Sequence, residues 1–383
     1  MSEAKHITAE EFCTTFHRIQ DEMSKVVVGQ ERPIRHLLCA VFAGGHVLLK
    51  GLPGLGRTLI VQTLAEILGI EYSRVQFTPD LLPTDITGTE VLEHNVETGD
   101  RHFRFFKGPV FANLVLADEV NRSPSRTQSA LLEVMQERQV TVGGQTYYLP
   151  QPFMIVATEN TLDHEGVFVL GEAQVDRFLM MIEQEYPTAA DEQKIVRYTT
   201  GTHKASLKAV TDAKMVLAMQ AFAKEVAVVP SVKEFALALV RASRPREADA
   251  AHEAAQSIRL GASPRATQAL LRLGKVMALA SGRQHVSKQD IIDVCEPVLA
   301  HRLLLDFRAQ ARGSRHRDVI EALIEQAERR SAARVSFWTR DLLKLKTTKK
   351  SETDVKGGSK VAAGWQAVLD KLPRTGKRKQ NAG

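Results

Sequence analysis

The chain predicts an α/β fold: a parallel sheet with helices on both faces, followed by a smaller all-α domain. Three observations carry this reading. The runs HVLLKG (46–51), NLVLADE (113–119) and FMIVATEN (153–160) are continuous and rich in Val, Leu and Ile, the pattern of strands buried on both faces. Helical segments alternate with such runs from about residue 25 to 186, as parallel strands require. From about 187 to 335 the strand runs stop and helical periodicity takes over. At 383 residues the chain also exceeds the roughly 250 that one core usually supports.

Taken in order, residues 1–24 read as a short amphipathic helix, with Phe12, Phe16 and Ile19 at helical spacing. The α/β region 25–186 carries two interruptions. Residues 86–108 read as strand, turn (Glu97 to Asp100) and strand, and ERQVTV pairs with QTYYLP across Gly143-Gly144. Both hairpins would project from the core as loops, where partners dock. In the helical region, Ser263 before Pro264 marks a helix start, Gly282 its end, and Ser287 caps the next helix. Residues 336–383 read as a basic, disordered tail. From Asp341 onward there are eleven Lys or Arg against four Asp or Glu, so the preceding 340 residues of this +6 chain sum to −1. A charged tail supplies only sequence-independent attraction to nucleic acid, and no DNA-binding motif accompanies it, so a nucleic-acid partner is not expected.

An apolar content of 44% and charged content of 25% are those of an ordinary globular protein. Cys13, Cys39 and Cys295 lie far apart and read as reduced thiols. The opening MSEAKHITAEEF has no apolar leader core, and no run approaches a membrane span. A cytoplasmic location is expected.

The chemistry concentrates in a few places. GLPGLGRT (51–58) follows an apolar strand and precedes the helix LIVQTLAEIL, with the spacing GxxxxGK[ST] of a Walker A loop. Glycines let successive N–H groups turn inward, and the helix N-terminus adds positive potential where phosphates would sit. Gly51, Pro53, Gly54, Leu55, Gly56, Arg57, Thr58 and Leu59 make up this cradle for ATP, with the Thr58 hydroxyl offered to Mg2+. Arg57 stands where lysine is expected; it keeps the charge but brings a bulkier planar fork. NLVLADE ends a strand in Asp118 and Glu119, a Walker B pair in which Asp118 holds magnesium through water and Glu119 polarises the attacking water. Asn160 ends the next strand, either as a turn former or as the residue that orients that water. Arg177 in EAQVDRF and Arg265 in GASPRA are either surface ion-pair partners or cations for the γ-phosphate.

Together these residues resemble the MoxR family of AAA+ ATPases, over about residues 26–327. The likeness rests on VVGQ (27–30), GGHVLLKGLPGLGRT (44–58), QFTPDLLPTDITGT (76–89), GPVFANLVLADEVNR (108–122), TQSALLEVMQERQVTV (127–142), EAQVDRF (172–178) and GASPRATQALLR (261–272). The resemblance implies an AAA+ core at 25–186, an all-α lid at 187–335, and a ring, a hexamer, with ATP between subunits. It places Val28 and Gly29 near the adenine, Thr58 and Asp118 on magnesium, Glu119 on the water and Asn160 as sensor 1. Arg177 matches the arginine finger given to the neighbour, and Arg265 matches sensor 2. Family members act as chaperone-like remodelers of partners, often ones with a von Willebrand factor A domain, and hairpin 86–108 would face the substrate. Besides Arg57, the chain departs from the family pattern at Thr161, usually proline, and at Leu170-Gly171-Glu172, where LPEAQ is usual.

Overall fold

The computed structural model describes residues 7–94, 101–160, 167–201 and 206–330. The turn at 97–100, Thr161 and the basic tail lie outside the described residues. In chain order the strands of the first half are β1 (Val47–Gly51), β2 (Tyr72–Gln76), β3 (Gly88–His94), β4 (Arg101–Lys107), β5 (Leu114–Asp118), β6 (Gln139–Val142), β7 (Gln145–Tyr148), β8 (Met154–Asn160) and β9 (Met180–Gln184). Five of them form one parallel sheet in the order β2-β5-β8-β1-β9. All five residues of β5 and the first five of β8 are buried, which is why the alternating pattern of a half-exposed strand is absent from their sequences. Helices flank the sheet: Arg57–Leu68 packs on β2 and β5, and Glu31–Ala43 packs on β9.

Buried His46, just before β1, joins three segments. Its Nε2 lies 3.0 Å from the carbonyl oxygen of Met135, and its Nδ1 accepts from the Ile155 amide at 2.9 Å. A carbonyl can only accept, so Nε2 carries the proton and the ring is neutral. Burial first, and then Arg138, lower the His46 pKa to about 4.

Both expected hairpins are present. β3 pairs antiparallel with β4, and β6 with β7 across Gly143 and Gly144, whose φ values of 58° and 79° are those of a two-residue hairpin turn. Phe105 of β4 stacks on Tyr147 of β7 with ring centroids 4.3 Å apart, tying the two hairpins together. Beyond this stack, Leu92 and Phe103 of the first hairpin are paired across the strands and exposed.

The N-terminal helix is Ala9–Ser24, with a reciprocal cap: the Thr8 hydroxyl accepts from the Glu11 amide, and the Glu11 carboxylate accepts from the Thr8 amide. Phe12, Phe16 and Ile19 are fully buried, and the Phe12 ring meets Phe42 edge-on at 5.3 Å. This helix packs on Pro264–Ala280, so its apolar stripe belongs to the main core. After β9 come helices Ala189–Thr200, Ala213–Glu225, Pro230–Ala242 and Pro264–Ala280, and a last one over 316–330. Ser263 caps Pro264–Ala280, and Ser287 with Asp290 forms the next capping box. A short antiparallel pair, Ile258–Leu260 with Leu304–Leu305, sits among these helices; at two or three residues it leaves no periodicity to read.

Candidate functional site

The carboxyl ends of three neighbouring strands meet at one edge of the sheet. Gly51 of β1 stands opposite Asn160 of β8, and Asp118 ends β5 on the other side of β8. The chain leaves β1 for distant β2, whereas the connection from β8 runs to β9 on the opposite side of β1, so the reversal of direction beside which open parallel sheets bind ligands falls at this edge. Over it runs the loop from Gly51 into helix Arg57–Leu68. Gly54 and Gly56 have φ of 85° and 74°, a region that side-chain-bearing residues rarely adopt. Nothing lies within 4 Å of where a Gly54 Cβ would stand. Pro53 and Leu59 are exposed, and Leu55 and Thr58 are half-buried. This loop fits phosphate oxygens: open glycine backbone on one side, a helix N-terminus on the other.

Arg57 does not extend freely from the loop. Its side chain is buried; Nη1 donates to the Glu159 carbonyl at 2.9 Å and Nη2 to the Gly51 carbonyl. The guanidinium thus joins the ends of β1 and β8. Burial lowers its pKa, against the opposing pull of Asp118 and then Glu119.

The acidic pair is held by neighbours on other strands. Asp118 Oδ1 accepts from the Thr158 hydroxyl at 2.7 Å, and Oδ2 from Arg74 Nη2 at 2.7 Å. Oδ2 also accepts from Arg74 Nε at 3.2 Å, so Oδ1 is the oxygen that keeps a further lone pair for a metal-bound water. Glu119 has φ 58° and ψ 51°, a left-handed conformation that costs a non-glycine residue roughly 1–3 kcal/mol. The Glu119 amide donates to the Thr158 hydroxyl at 2.8 Å, which fixes this turn. Glu119 Oε2 accepts from Gln76 Nε2 at 2.8 Å, and Asn160 Nδ2 reaches Oε1 at 3.5 Å. Asn121 brackets the Asn160 main chain, donating to its carbonyl at 2.9 Å and accepting from its amide at 3.3 Å. Glu119 and Asn160 are therefore brought together, 41 residues apart in sequence. Arg74, Gln76, Asn121 and Thr158 escaped the sequence reading; Gln76 and Asn121 lie inside the motif stretches QFTP and EVNR, the signal that would have found them.

Among the described residues no three His, Cys, Asp or Glu side chains gather to hold a metal. Mg2+ takes one or two carboxylates and leaves the rest of its shell to phosphate oxygens and water. Gly29 (φ 72°) lines a cavity of about 560 Å³ with Gln30, His36, Tyr186, Pro297 and Arg317, a volume within the range of small-molecule pockets. Val28 precedes it, half-buried.

The two arginines make their contacts with other groups than the acidic pair. Arg177 is exposed, with Nη1 3.3 Å from the Leu132 carbonyl, beside a cavity of about 300 Å³ lined by Glu133 and Glu137. Arg265 is exposed on the first turn of helix Pro264–Ala280, and its Nη1 is 3.9 Å from Asp176 Oδ2.

A glycine loop at the end of β1, an acidic pair at the end of β5, a polar residue at the end of β8 and helices after the sheet are the arrangement of an AAA+ ATPase with its lid. Residues 46–180 match the ATPase family associated with various cellular activities (AAA), and residues 250–323 match the AAA lid domain. The chain is 41% identical over 297 residues to Chaperone MoxR1 of Mycobacterium tuberculosis, covering 78% of each protein. It is 32% identical to Protein MoxR of Paracoccus denitrificans, covering 82% of this chain and 94% of that one. The crystal structure of a candidate ATPase from Cytophaga hutchinsonii superposes with a TM-score of 0.75 at 40% identity, over 83% of this chain and 96% of that one. The chain belongs to the MoxR family of AAA+ ATPases. Among the described residues no helix is long and apolar enough to cross a membrane.

Proposed function

We propose that this chain binds ATP with Mg2+ and hydrolyses it within a ring, a hexamer, to remodel or activate partner proteins in the cytoplasm. The observation that carries the reading is Glu119, turned by its left-handed backbone and held between Gln76 and Asn160 at the edge where the phosphate loop opens. In that position its carboxylate takes a proton from a water that Asn160 orients, while Thr58 and Asp118 hold the metal, which when bound supplies charge neutralisation on the phosphates. Gly29 and the cavity beside it receive the base. Arg177, exposed and in contact with the Leu132 carbonyl, suits a finger given to an adjacent copy, and the ring follows from that need. The 1–24 helix, 25–186 core, 187–335 lid and 336–383 tail are the proposed division of labour. A protein client is proposed on the strength of the chaperone name of the tuberculosis relative, and a von Willebrand A-domain protein is the class the family resemblance implies. The exposed Leu92–Phe103 face of the first hairpin is its proposed contact.

The Arg57 contacts favour a second reading, a nucleotide-binding assembly protein with little turnover, because the guanidinium is engaged by two carbonyls. Phosphate release separates the two. Under the hydrolytic reading, Arg57→Lys keeps a cation beneath the loop and turns over at least as fast as the parent. Arg57→Ala loses about 10²–10³-fold, the worth of one preorganised charge contact. Parent turnover no higher than that of Glu119→Gln, with ATP still bound, would establish the second reading instead.

A further inference from the structure

Asp176 immediately precedes Arg177, and its carboxylate gathers three groups from beyond the sheet. Oδ1 accepts from Arg302 Nε at 2.8 Å. The Ser263 hydroxyl lies 3.0 and 2.9 Å from its two oxygens, and Arg265 Nη1 stands 3.9 Å from Oδ2. Arg302 is buried, with 2% of its side chain exposed. Besides Asp176 Oδ1, it donates to the main-chain carbonyls of Asp176, Phe178, Leu179 and Val298. All five guanidinium donors are thus used, and four of them grip the residues on either side of Arg177. A planar fork can do this; an ammonium with three donors cannot. Ser263 is in turn the cap of helix Pro264–Ala280, accepting from the Arg265 amide at 3.1 Å, so the same carboxylate touches the cap and the charged side chain of that helix.

We propose that Asp176 and Arg302 form a brace that positions Arg177 for the adjacent subunit's nucleotide and, through Ser263 and Arg265, ties that presentation to the helix bearing Arg265. The inference rests on the ring-hydrolysis reading above. Asp176 and Arg302 are positioning residues: they act through Arg177 and Arg265 and touch no reacting atom themselves. The arrangement has a physical consequence. Arg265 cannot lean toward a γ-phosphate without leaving Asp176, so nucleotide in one subunit's own site alters the support of the finger it gives away. The two arginines are coupled through one carboxylate.

Mixed oligomers test this, because the finger and the site it serves belong to different chains. Arg177→Ala subunits keep an intact site but give no finger. Glu119→Gln subunits keep the finger but cannot hydrolyse. Mixing the two is expected to restore ATP turnover above either alone. Asp176→Asn, which removes the charge at nearly constant size, is then placed on one partner at a time. On the finger-giving Glu119→Gln subunit it is expected to reduce the restored turnover at least about tenfold, within the range that an arginine finger supplies. On the Arg177→Ala subunit it costs less, since that chain has no finger to position. Equal restoration with and without Asp176→Asn on the giving subunit overturns the brace, and so does a greater loss on the receiving side. If mixing Arg177→Ala with Glu119→Gln restores nothing while the parent hydrolyses ATP, the finger in trans is wrong and the brace falls with it. That outcome is read before Asp176 is touched. Should the giving subunit with Asp176→Asn fail to bind nucleotide, Ser263→Ala on that subunit takes its place; a several-fold loss supports the link to the helix, and none overturns it.

Discussion

Glu119→Gln is expected to lower ATP turnover by about 10²–10⁴-fold while nucleotide binding persists, the span that a positioned general base contributes. The substitution keeps size and shape and removes the proton-accepting charge. Its geometric cost is small, because the left-handed turn at Glu119 is fixed through the backbone amide, which donates to Thr158 whatever the side chain. Three contacts change character, and the ion pair of Arg122 Nη1 with Oε2 at 3.3 Å is reduced to a hydrogen bond. Gln76 Nε2 and Asn160 Nδ2 both donate to the carboxylate, and a carboxamide offers one acceptor oxygen where there were two. Turned toward Gln76 and Arg122, the carboxamide oxygen keeps those two contacts and gives up the 3.5 Å one from Asn160, whereas a flip of Gln76 would withdraw its oxygen from Arg74 Nη2. The measurement is phosphate release beside calorimetric ATP binding. Turnover within tenfold of the parent would remove Glu119 as the base, and loss of binding would show a structural role.

The second large effect is on stability in mild acid. Histidines His36 and His46 are buried and neutral, each with a pKa of about 4. For His36 the cause is burial, then Arg32 and Arg35, against an opposing pull from Glu296; for His46 it is burial, then Arg138. A native pKa below the unfolded value of about 6.5 means that the unfolded chain binds more protons below that pH. The native state therefore keeps its full advantage above pH 6.5 and loses it as pH falls toward 4. By pH 4.5 each histidine removes about 2.5 kcal/mol, so the pair costs about 5 kcal/mol, a large share of a typical domain's stability. Urea midpoints measured from pH 7 to 4.5 should fall steeply. His301 is held neutral by burial as well, so in His46→Gln, which cannot titrate there, the slope should be shallower by about a third although the protein starts less stable. Midpoints independent of pH across this window would contradict the neutral, buried assignment of both rings.

The sequence reading matches the structure where the structural requirement is local. The loop 51–58 needs glycines, a strand before it and a helix after it, and all lie within some twenty consecutive residues. Asp118 and Glu119 were legible for the same reason, as were the caps at Ser263 and Ser287 and the turn at Gly143-Gly144, each a short-range hydrogen-bonding or φ requirement. Arg74, Thr158 and Arg302 were not legible. Arg74 reaches Asp118 because β2 and β5 are neighbours, Thr158 because β5 and β8 are, and Arg302 grips the Arg177 segment from more than a hundred residues away.

Arg57 shows the division most sharply. Its place in the Walker A spacing, and hence its charge beside the phosphate loop, follows from the sequence. Where the charge goes depends on Gly51 and Glu159, residues 6 and 102 positions away whose carbonyls become adjacent only when β1 and β8 pair. The sequence by itself determined the fold class, the phosphate loop and the acidic pair, because strand burial, helix capping and glycine backbone freedom act over a few residues. The partners that hold Arg57, Glu119 and Arg177 in place were decided by tertiary structure, because hydrogen bonds between distant segments depend on strand order and packing, which no local pattern encodes.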